Sequence, residues 1–264
     1  MLLENRVAVI TGGARGIGRA IAVRFAVEGC TPVVVDVLEA EGGQTVDEIS
    51  TEGREGLFVK CDISDSDQVH DMVDVVMKNF GKVDILVNNA GVPGGLPRSI
   101  AEISEEDWDR VLGTNLRGTF LCSRAVVAHM KERRYGRIIN VSSMAAIAPP
   151  ASLIHYSSAK AGMLGFTLDL ALELAPFNIC VNAILPGAIQ TDIFDHMVPP
   201  GVDKAVFFRE MGKAVCPMGR IGIPDDVAGA ALFLASDLSS YITGDRLLVG
   251  GGAPLIARLK ENQR

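Results

Sequence analysis

The 264-residue sequence has no apolar run long enough to cross a membrane, and its first residues lack the apolar stretch of a signal peptide. Lys and Arg are scattered along the chain, and the formal net charge is −7. This charge balance argues against nucleic acid or an anionic membrane surface as a partner. We therefore predict a soluble, cytoplasmic protein that acts on a small molecule.

The five cysteines form no C-x-x-C pair, and most of them lie in apolar segments. An odd and widely spaced set is typical of reduced core thiols in a cytosolic protein rather than of a disulfide framework. The four histidines show no H-E-x-x-H or other metal-ligand spacing. We therefore expect no catalytic metal.

No internal repeat, low-complexity tract or linker interrupts the chain, so we predict one domain over residues 1–264. Short β-branched runs alternate with amphipathic helical stretches, which is the pattern of a doubly wound parallel α/β sheet flanked by helices. Seven strands are predicted, at Val7–Ile10, Pro32–Asp36, Leu57–Cys61, Ile85–Asn88, Arg137–Val141, Cys180–Ile184 and Arg246–Val249.

One long irregular segment is predicted between Pro186 and Gly222, where paired prolines and several glycines accompany apolar side chains. A long, partly apolar insertion after a strand is a typical position for a loop that covers a substrate. We predict such a substrate loop over about residues 188–222. A surface excursion or a subunit contact is the alternative.

A glycine-rich segment, Thr11-Gly-Gly-Ala-Arg-Gly-Ile-Gly18, follows the first predicted strand and leads into a helix. Glycines allow the backbone to turn tightly and approach a pyrophosphate, which the helix N-terminus then stabilises. The spacing of Gly12, Gly16 and Gly18 departs from the commoner dinucleotide fingerprint, but the position between strand and helix indicates a nucleotide site.

Asp36 ends the second predicted strand about 18 residues after Gly18. A carboxylate there can bind both hydroxyls of the adenosine ribose and repel a 2′-phosphate, which favours NAD. Arg15 in the glycine segment is the counter-argument, because it could pair with the 2′-phosphate of NADP. Asp62, just past the third strand, is expected either to bind the adenine amino group or to cap the following helix.

Tyr156 and Lys160 are four residues apart on a predicted helix, so their side chains share one face. A free phenol has a pKa of about 10, and a nearby ammonium group favours the phenolate. At about 5 Å and an effective dielectric of about 20, the attraction is roughly 3 kcal/mol, or about two pKa units. We therefore predict an acid/base pair in which the pKa of the tyrosine is lowered towards neutrality.

The order of these motifs resembles that of the short-chain dehydrogenase/reductase family over essentially the whole chain. The motifs are the glycine segment, Asn88-Asn-Ala-Gly91, Ser143, Tyr156, Lys160 and Pro186-Gly187. The resemblance implies a single Rossmann-type domain with a central seven-stranded parallel sheet, and a homotetramer.

The resemblance also implies catalytic roles. Tyr156 would be the general acid/base, and Lys160 would bind the nicotinamide ribose and lower the pKa of the phenol. Ser143 would orient the substrate oxygen, and Asn115 would anchor a water molecule in a proton relay. Ser142 is the alternative to Ser143, but the family's interval to the tyrosine selects Ser143.

The expected cofactor contacts lie in segments that follow predicted strands. Asn89, Ala90 and Gly91 would either line the nicotinamide ribose or close the turn after the fourth strand. The nicotinamide carboxamide would bind the backbone of Ile189 and the hydroxyl of Thr191. The full predicted set is Gly12, Arg15, Gly16, Ile17, Gly18, Asp36, Asp62, Ile63, Asn89, Ala90, Gly91, Tyr156, Lys160, Pro186, Gly187, Ile189 and Thr191.

The expected substrate pocket is mostly apolar and contains no Arg or Lys that could bind an acid, a phosphate or coenzyme A. It therefore predicts a hydrophobic aryl or alicyclic secondary alcohol that is oxidised to its ketone, or formed from it, with NAD. The segment 144–148 lacks the Gly that the family often has there, which affects pocket shape. The predicted contacts are Ser143, Met144, Ile147, Leu153, His155, Tyr156, Phe194 and Met197.

Two other functions compete with this prediction. One is an NADPH-dependent 3-oxoacyl carrier-protein reductase or related carbonyl reductase, against which Asp36 and the absence of a basic residue at positions 37 and 38 count. The other is a non-catalytic nucleotide-binding protein that uses the same fold. A complete set of four catalytic residues counts against that alternative.

Overall fold

The computed structural model describes residues 1–95, 99–150, 153–191, 198–199 and 201–255. Its seven strands form one parallel sheet in the order β3-β2-β1-β4-β5-β6-β7. They are β1 (Val7–Thr11), β2 (Thr31–Asp36), β3 (Leu57–Lys60), β4 (Ile85–Asn88), β5 (Gly136–Val141), β6 (Ile179–Pro186) and β7 (Arg246–Val249). The predicted α/β class is confirmed, and no strand end differs from its prediction by more than two residues.

Helices cover both faces of the sheet. They are α1 (Gly16–Val27), α2 (Glu39–Thr51), α3 (Ser66–Phe80), α4 (Glu105–Leu112), α5 (Gly118–Arg133), α6 (Ile154–Leu174), α7 (Lys204–Val215) and α8 (Pro224–Ala235). A π-helical turn (Gly113–Arg117) joins α4 to α5. Successive strand residues therefore enter opposite cores: Ala8 and Ile10 pack in one hydrophobic cluster, whereas Val7 and Val9 pack in the other.

The sheet places the functional segments on one edge. Strand order reverses between β1 and β4, which pair with each other and carry β2 and β5 on their outer sides. In open parallel sheets, the crevice at this switch point and the carboxyl ends of the strands bind ligands. The turns that follow β1, β2, β4, β5 and β6 all open towards that crevice.

The prediction that the segment from Pro186 to Gly222 is irregular is wrong in one respect, because the segment contains the helix α7. Asp203 caps α7 by accepting a hydrogen bond from the Val206 amide at 2.9 Å, and Phe208 lies on the buried face of the helix. Gly212 fits because it lies against the backbone of Arg220, where an added Cβ would meet the Arg220 Cα at 2.5 Å. The cap and the buried face were present in the sequence, but the flanking prolines and glycines obscured them.

All five cysteines are buried and free. Burial raises the pKa of the Cys61 thiol to about 11, and it also raises those of Cys30 and Cys122. In the described ranges, no helix has the length and apolarity needed to span a membrane. Nor does this part of the chain bring together three His, Cys, Asp or Glu side chains that could hold a metal ion.

Candidate active site

The glycine segment forms a tight turn between β1 and α1. Gly12 and Gly16 have φ values of +63° and +55°, which side chains disfavour. A Cβ on Gly18 would lie 2.1 Å from the Gly12 carbonyl oxygen. Within the described residues, α1 has no side-chain N-cap, so its first-turn amides remain available to an anion. The turn therefore fits a pyrophosphate.

Asn89 closes this turn from the β4 side. Its side-chain amide donates to the carbonyl oxygens of Thr11 and Gly12, each at 3.0 Å. The Thr11 hydroxyl accepts from the Asn89 and Ala90 amides, each at 3.0 Å. Asn89 thus ties the turn after β1 to the end of β4, and the ribose contacts of Asn89, Ala90 and Gly91 stay a prediction. Thr11 was not assigned a role from sequence, and its only signal is its position directly before the first glycine.

Asp36 is held against the glycine turn by two backbone amides. Oδ2 accepts from Ala14 at 3.1 Å, and Oδ1 accepts from Leu38 at 3.2 Å. Arg15, which follows Ala14 in the turn, is exposed, and Ile17 packs on the core. The turn and the acid at the end of β2, predicted separately, thus form one site.

Asp62 does not cap the helix that follows it, so that alternative is wrong. Asp65 is the cap of α3 and accepts hydrogen bonds from the Asp67 and Gln68 amides. Asp62 instead shapes the preceding turn by accepting from the amide and hydroxyl of Ser64, at 2.9 and 2.7 Å. Its contact with adenine stays a prediction, as does that of the buried Ile63.

Ser143 and Tyr156 meet beyond the carboxyl end of β5. The Ser143 hydroxyl lies close enough to the Tyr156 phenol to lower its pKa by hydrogen bonding, and Ser143 Oγ accepts from the Ala145 amide at 3.1 Å. Ser142 is buried and donates to the Lys160 carbonyl at 2.7 Å. Ser142 therefore anchors α6, and Ser143 is the serine that faces the tyrosine.

Lys160 is buried, and its ammonium lies beside the Tyr156 ring, with Nζ 5.8 Å from the ring centre. Nζ donates to the Val141 carbonyl at 2.9 Å. Burial lowers the pKa of Lys160 to about 8. Burial likewise raises the pKa of Tyr156, and the hydrogen bond from Ser143 only partly opposes that shift.

The predicted lowering of the tyrosine pKa is therefore wrong for this arrangement. The prediction treated the pair as two partly solvated charges on a helix surface. In the structure Lys160 is buried and Tyr156 is partly buried, and this loss of solvent disfavours the phenolate as well as the ammonium. The sequence contains the spacing of the pair but not its burial.

Asn115 lies in the π-helical turn between α4 and α5 and is fully buried. Its Nδ2 donates to the carbonyls of Val92 and Val111 at 3.0 and 2.9 Å. Its Oδ1 has no hydrogen-bond partner among the described residues. A Cβ built on Gly91 would lie 2.4 Å from this oxygen and 3.4 Å from Lys160 Nζ. Asn115 and Lys160 therefore both lie beside Gly91, and the water molecule of the relay stays a prediction.

The segment after β6 reaches the glycine turn. A Cβ on Gly16 would lie 3.4 Å from the Thr191 methyl group. Gly187 donates its amide to the Val249 carbonyl at 2.9 Å, and a side chain on it would collide with Gly250. Ile189 is buried. Pro186 through Thr191 thus borders the same crevice as the glycine turn, where the predicted cofactor contacts require it.

The predicted substrate contacts are only partly brought together. Met144 and Ile147 follow Ser143, with Ile147 46% exposed, and Leu153 precedes α6. Phe194 and Met197 lie outside the described residues. His155 is buried, and a Cβ on Gly94 would meet its ring at 2.6 Å. Its contact with substrate stays a prediction.

Comparison with known proteins identifies relatives over nearly the full chain. Residues 12–254 match the profile of a family described as enoyl-(acyl carrier protein) reductase. The chain is 42% identical over 257 residues to the BbsD subunit of (2S)-[(R)-hydroxy(phenyl)methyl]succinyl-CoA dehydrogenase from Thauera aromatica, covering 97% of this chain and 100% of that protein. It is 40% identical over 257 residues to 3-oxoacyl-[acyl-carrier-protein] reductase FabG from Thermotoga maritima, covering 96% and 99%.

Solved structures agree with the sequence relatives. NAD+-bound xylitol dehydrogenase superposes with a TM-score of 0.88 at 32% identity, covering 96% of this chain and 100% of that one. Levodione reductase superposes with a TM-score of 0.88 at 32% identity, covering 95% and 98%. Fold and sequence thus agree on one group of nucleotide-dependent oxidoreductases.

Proposed function

The chain belongs to the short-chain dehydrogenase/reductase family, and from this premise we propose an NAD-dependent dehydrogenase that interconverts a hydrophobic aryl or alicyclic secondary alcohol and its ketone. The observation that carries the proposal is the grouping of Ser143, directly after β5, with Tyr156 and Lys160 of α6, where Lys160 Nζ lies 5.8 Å from the Tyr156 ring centre. Asp36, held at the glycine turn, supports the choice of cofactor.

A bound nicotinamide ring supplies the acceptor for hydride in alcohol oxidation and the donor in ketone reduction. Tyr156 takes the proton of the substrate hydroxyl during oxidation and returns it during reduction. Ser143 hydrogen-bonds the same substrate oxygen. Because burial keeps the Tyr156 phenol protonated, this side chain is suited to act as the acid in ketone reduction at neutral pH.

The proton path continues from Tyr156 past Lys160. Lys160 Nζ and Asn115 Oδ1 both border the space beside Gly91. The unpaired amide oxygen can accept a hydrogen bond from a water molecule there. That water can take a proton from the Lys160 ammonium and return one to the neutral amine.

Asp36 supports NAD over NADP. A carboxylate has about four acceptor positions, and two of those of Asp36 are used by the Ala14 and Leu38 amides. The remaining positions can accept hydrogen bonds from ribose hydroxyls, whereas a 2′-phosphate would meet a negative charge. Arg15 is the nearby group that favours NADP.

The apolar side chains of Met144, Ile147 and Leu153 next to the catalytic serine and tyrosine support a hydrophobic substrate. The named substrate of the Thauera relative carries its hydroxyl on a carbon bearing a phenyl group, and it is also a coenzyme A thioester. Reduction of a 3-oxoacyl thioester with NADPH is the second candidate, which the name of the Thermotoga relative favours.

The proposal extends to a homotetramer. Exposed apolar side chains on α6 and at the sheet edge, among them Leu172 at 78% exposure and Leu247 on β7, provide apolar surface that further copies of the chain would cover. Light scattering during gel filtration tests this. A mass of four times 28.0 kDa is expected, and a mass of 28.0 kDa would contradict it.

Initial rates of NAD and NADP reduction, measured with aryl, alicyclic and straight-chain secondary alcohols, test the proposed reaction. We expect NAD reduction with aryl or alicyclic alcohols. Turnover of 3-oxoacyl thioesters alone, with NADPH, would replace this proposal by the reductase.

A further inference from the structure

We propose that Arg220 and Asp226 form a clasp that closes the base of the substrate loop and thereby positions Ile189 and Thr191 at the cofactor crevice. The identity of the bound cofactor rests on the proposed function. The clasp itself is defined by contacts within the chain.

The substrate loop leaves and re-enters the fold at one short stem. Gly222 donates its amide to the Ala188 carbonyl at 2.9 Å, and Gln190 donates to the Gly222 carbonyl at 2.8 Å. Ile189 and Gly222 thus form an isolated parallel bridge. These two backbone hydrogen bonds join the ends of the loop, and a further one, from the Met218 amide to the Gly251 carbonyl at 3.2 Å, ties the loop to the segment after β7.

The clasp reinforces this stem from the α8 side. Arg220 donates from Nη1 to Asp226 Oδ2 at 2.7 Å and from Nη2 to Oδ1 at 2.8 Å, which is a bidentate pair. Asp226 Oδ2 also accepts from the Ile223 amide at 2.8 Å, and Arg220 Nη1 donates to the Ile221 carbonyl at 3.2 Å. The pair therefore hydrogen-bonds to the backbone on both sides of Gly222, at Ile221 and at Ile223.

The clasp is in packed contact with the segment that borders the glycine turn. A Cβ on Gly222 would meet Ile189 Cδ1 at 2.4 Å and Asp226 Oδ2 at 3.4 Å, so no side chain fits between them. Ile189 is buried, and Thr191 places its methyl group beside Gly16. A shift of the stem would therefore move the cofactor-facing segment.

The clasp also meets the loop helix. The backbone of Arg220 lies against Gly212 of α7, where an added Cβ would approach its Cα to 2.5 Å. The chain at Arg220 is thus packed between α7 and the stem. Loss of the ion pair should release α7 and the cofactor-facing segment together, which makes Arg220 and Asp226 positioning residues rather than catalytic ones.

A second ion pair provides a matched control. Arg19 donates to Glu48 from Nε at 2.7 Å, with Nη2 at 2.6 Å from the same carboxylate. Its side chains are 52% and 36% exposed, close to the 52% and 29% of the Arg220–Asp226 pair. It joins α1 to α2 and not the two ends of the substrate loop. The same substitutions in the two ion pairs therefore remove a similar interaction at two different places in the fold.

The test compares Asp226→Asn and Arg220→Lys with Glu48→Gln and Arg19→Lys in the full chain. Three quantities are measured: the rate of trypsin cleavage within α7 at Arg209 and Lys213, NADH binding by fluorescence, and KM against kcat. For Asp226→Asn we expect cleavage and the NADH Kd each to rise about tenfold, with KM rising more than kcat falls. Arg220→Lys keeps the positive charge but loses the bidentate geometry of the guanidinium, so it should raise the cleavage rate and the NADH Kd by less.

The outcomes separate the clasp from the proposed function. If both clasp variants match the Arg19 and Glu48 controls in cleavage and NADH binding, the clasp proposal is wrong, whatever the wild-type activity. If the clasp variants are cleaved faster while wild type neither binds NADH nor oxidises alcohols, the clasp is supported and the proposed function falls. If Asp226→Asn does not fold, Arg220→Lys decides between these outcomes.

Discussion

Gly91 faces Asn115 so closely that a Cβ on Gly91 would lie 2.4 Å from the Asn115 side-chain oxygen, and 3.4 Å from Lys160 Nζ. Gly91→Ala should therefore fill the relay space and lower kcat about 10- to 100-fold, because a displacement of about 1 Å near reacting groups has that effect. Steady-state kinetics measures the loss. Gly165→Ala on α6, where nothing lies within 4 Å, is the control and should keep full activity. Equal kcat values for the two variants would contradict the relay.

Removal of the Tyr156 hydroxyl tests the acid/base assignment. Tyr156→Phe should lower kcat by about 10²- to 10⁴-fold, because the substrate proton loses its partner, while NADH binding is retained. The fully exposed Tyr241 offers the same substitution as a control, and Tyr241→Phe should leave kcat unchanged. A Tyr156→Phe enzyme with near wild-type turnover would refute the assignment.

Asp36 is expected to select the cofactor. Asp36→Ala removes the carboxylate at the glycine turn, so kcat/KM should fall for NAD and rise for NADP, changing their ratio about 100-fold. Glu39→Gln is the control, because Glu39 is a nearby exposed carboxylate that pairs with Lys60. An unchanged NAD/NADP ratio in Asp36→Ala would leave Arg15 as the determinant to test next.

Features set by local chemistry were predicted well from the sequence. The strands follow from β-branched runs, and the glycine turn follows from a requirement for positive φ at Gly12 and Gly16. The helical spacing of Tyr156 and Lys160 places both on α6. Each of these signals lies within a few residues of the structure that it specifies, so periodicity and steric rules suffice.

Features set by tertiary packing could not be predicted in the same way. The pKa of Tyr156 depends on burial and on the Ser143 hydroxyl, both of which are set by packing and not by the spacing to Lys160. Asp62 and Asp65 both precede α3 and are both suitable cap residues. Only the structure shows that Asp65 caps the helix and that Asp62 bonds Ser64 in the turn before it. The clasp joins Arg220 and Asp226, which are six residues apart. Its proposed positioning role depends on the bridge between Gly222 and Ile189, and Ile189 is more than 30 residues earlier in the sequence.

Lys160 gives the fold a pH dependence of known sign. Burial lowers the pKa of its folded-state ammonium to about 8, against 10.5 for a free lysine. Between these values the unfolded chain binds more protons than the folded one, so the free energy of unfolding gains up to about 3 kcal/mol from Lys160 as pH rises. Below pH 8 the buried charge opposes folding at full strength.

Comparison with Lys160→Met isolates this contribution from other groups. The raised thiol pKa values of Cys30, Cys61 and Cys122, and the raised pKa of Tyr156, stabilise the protonated folded state and lose that stabilisation at high pH in both proteins. Urea unfolding at several values between about pH 7 and pH 10 measures both free energies. The wild-type value minus the variant value should rise across this range, whereas a constant difference would mean that Lys160 is not buried as a charge.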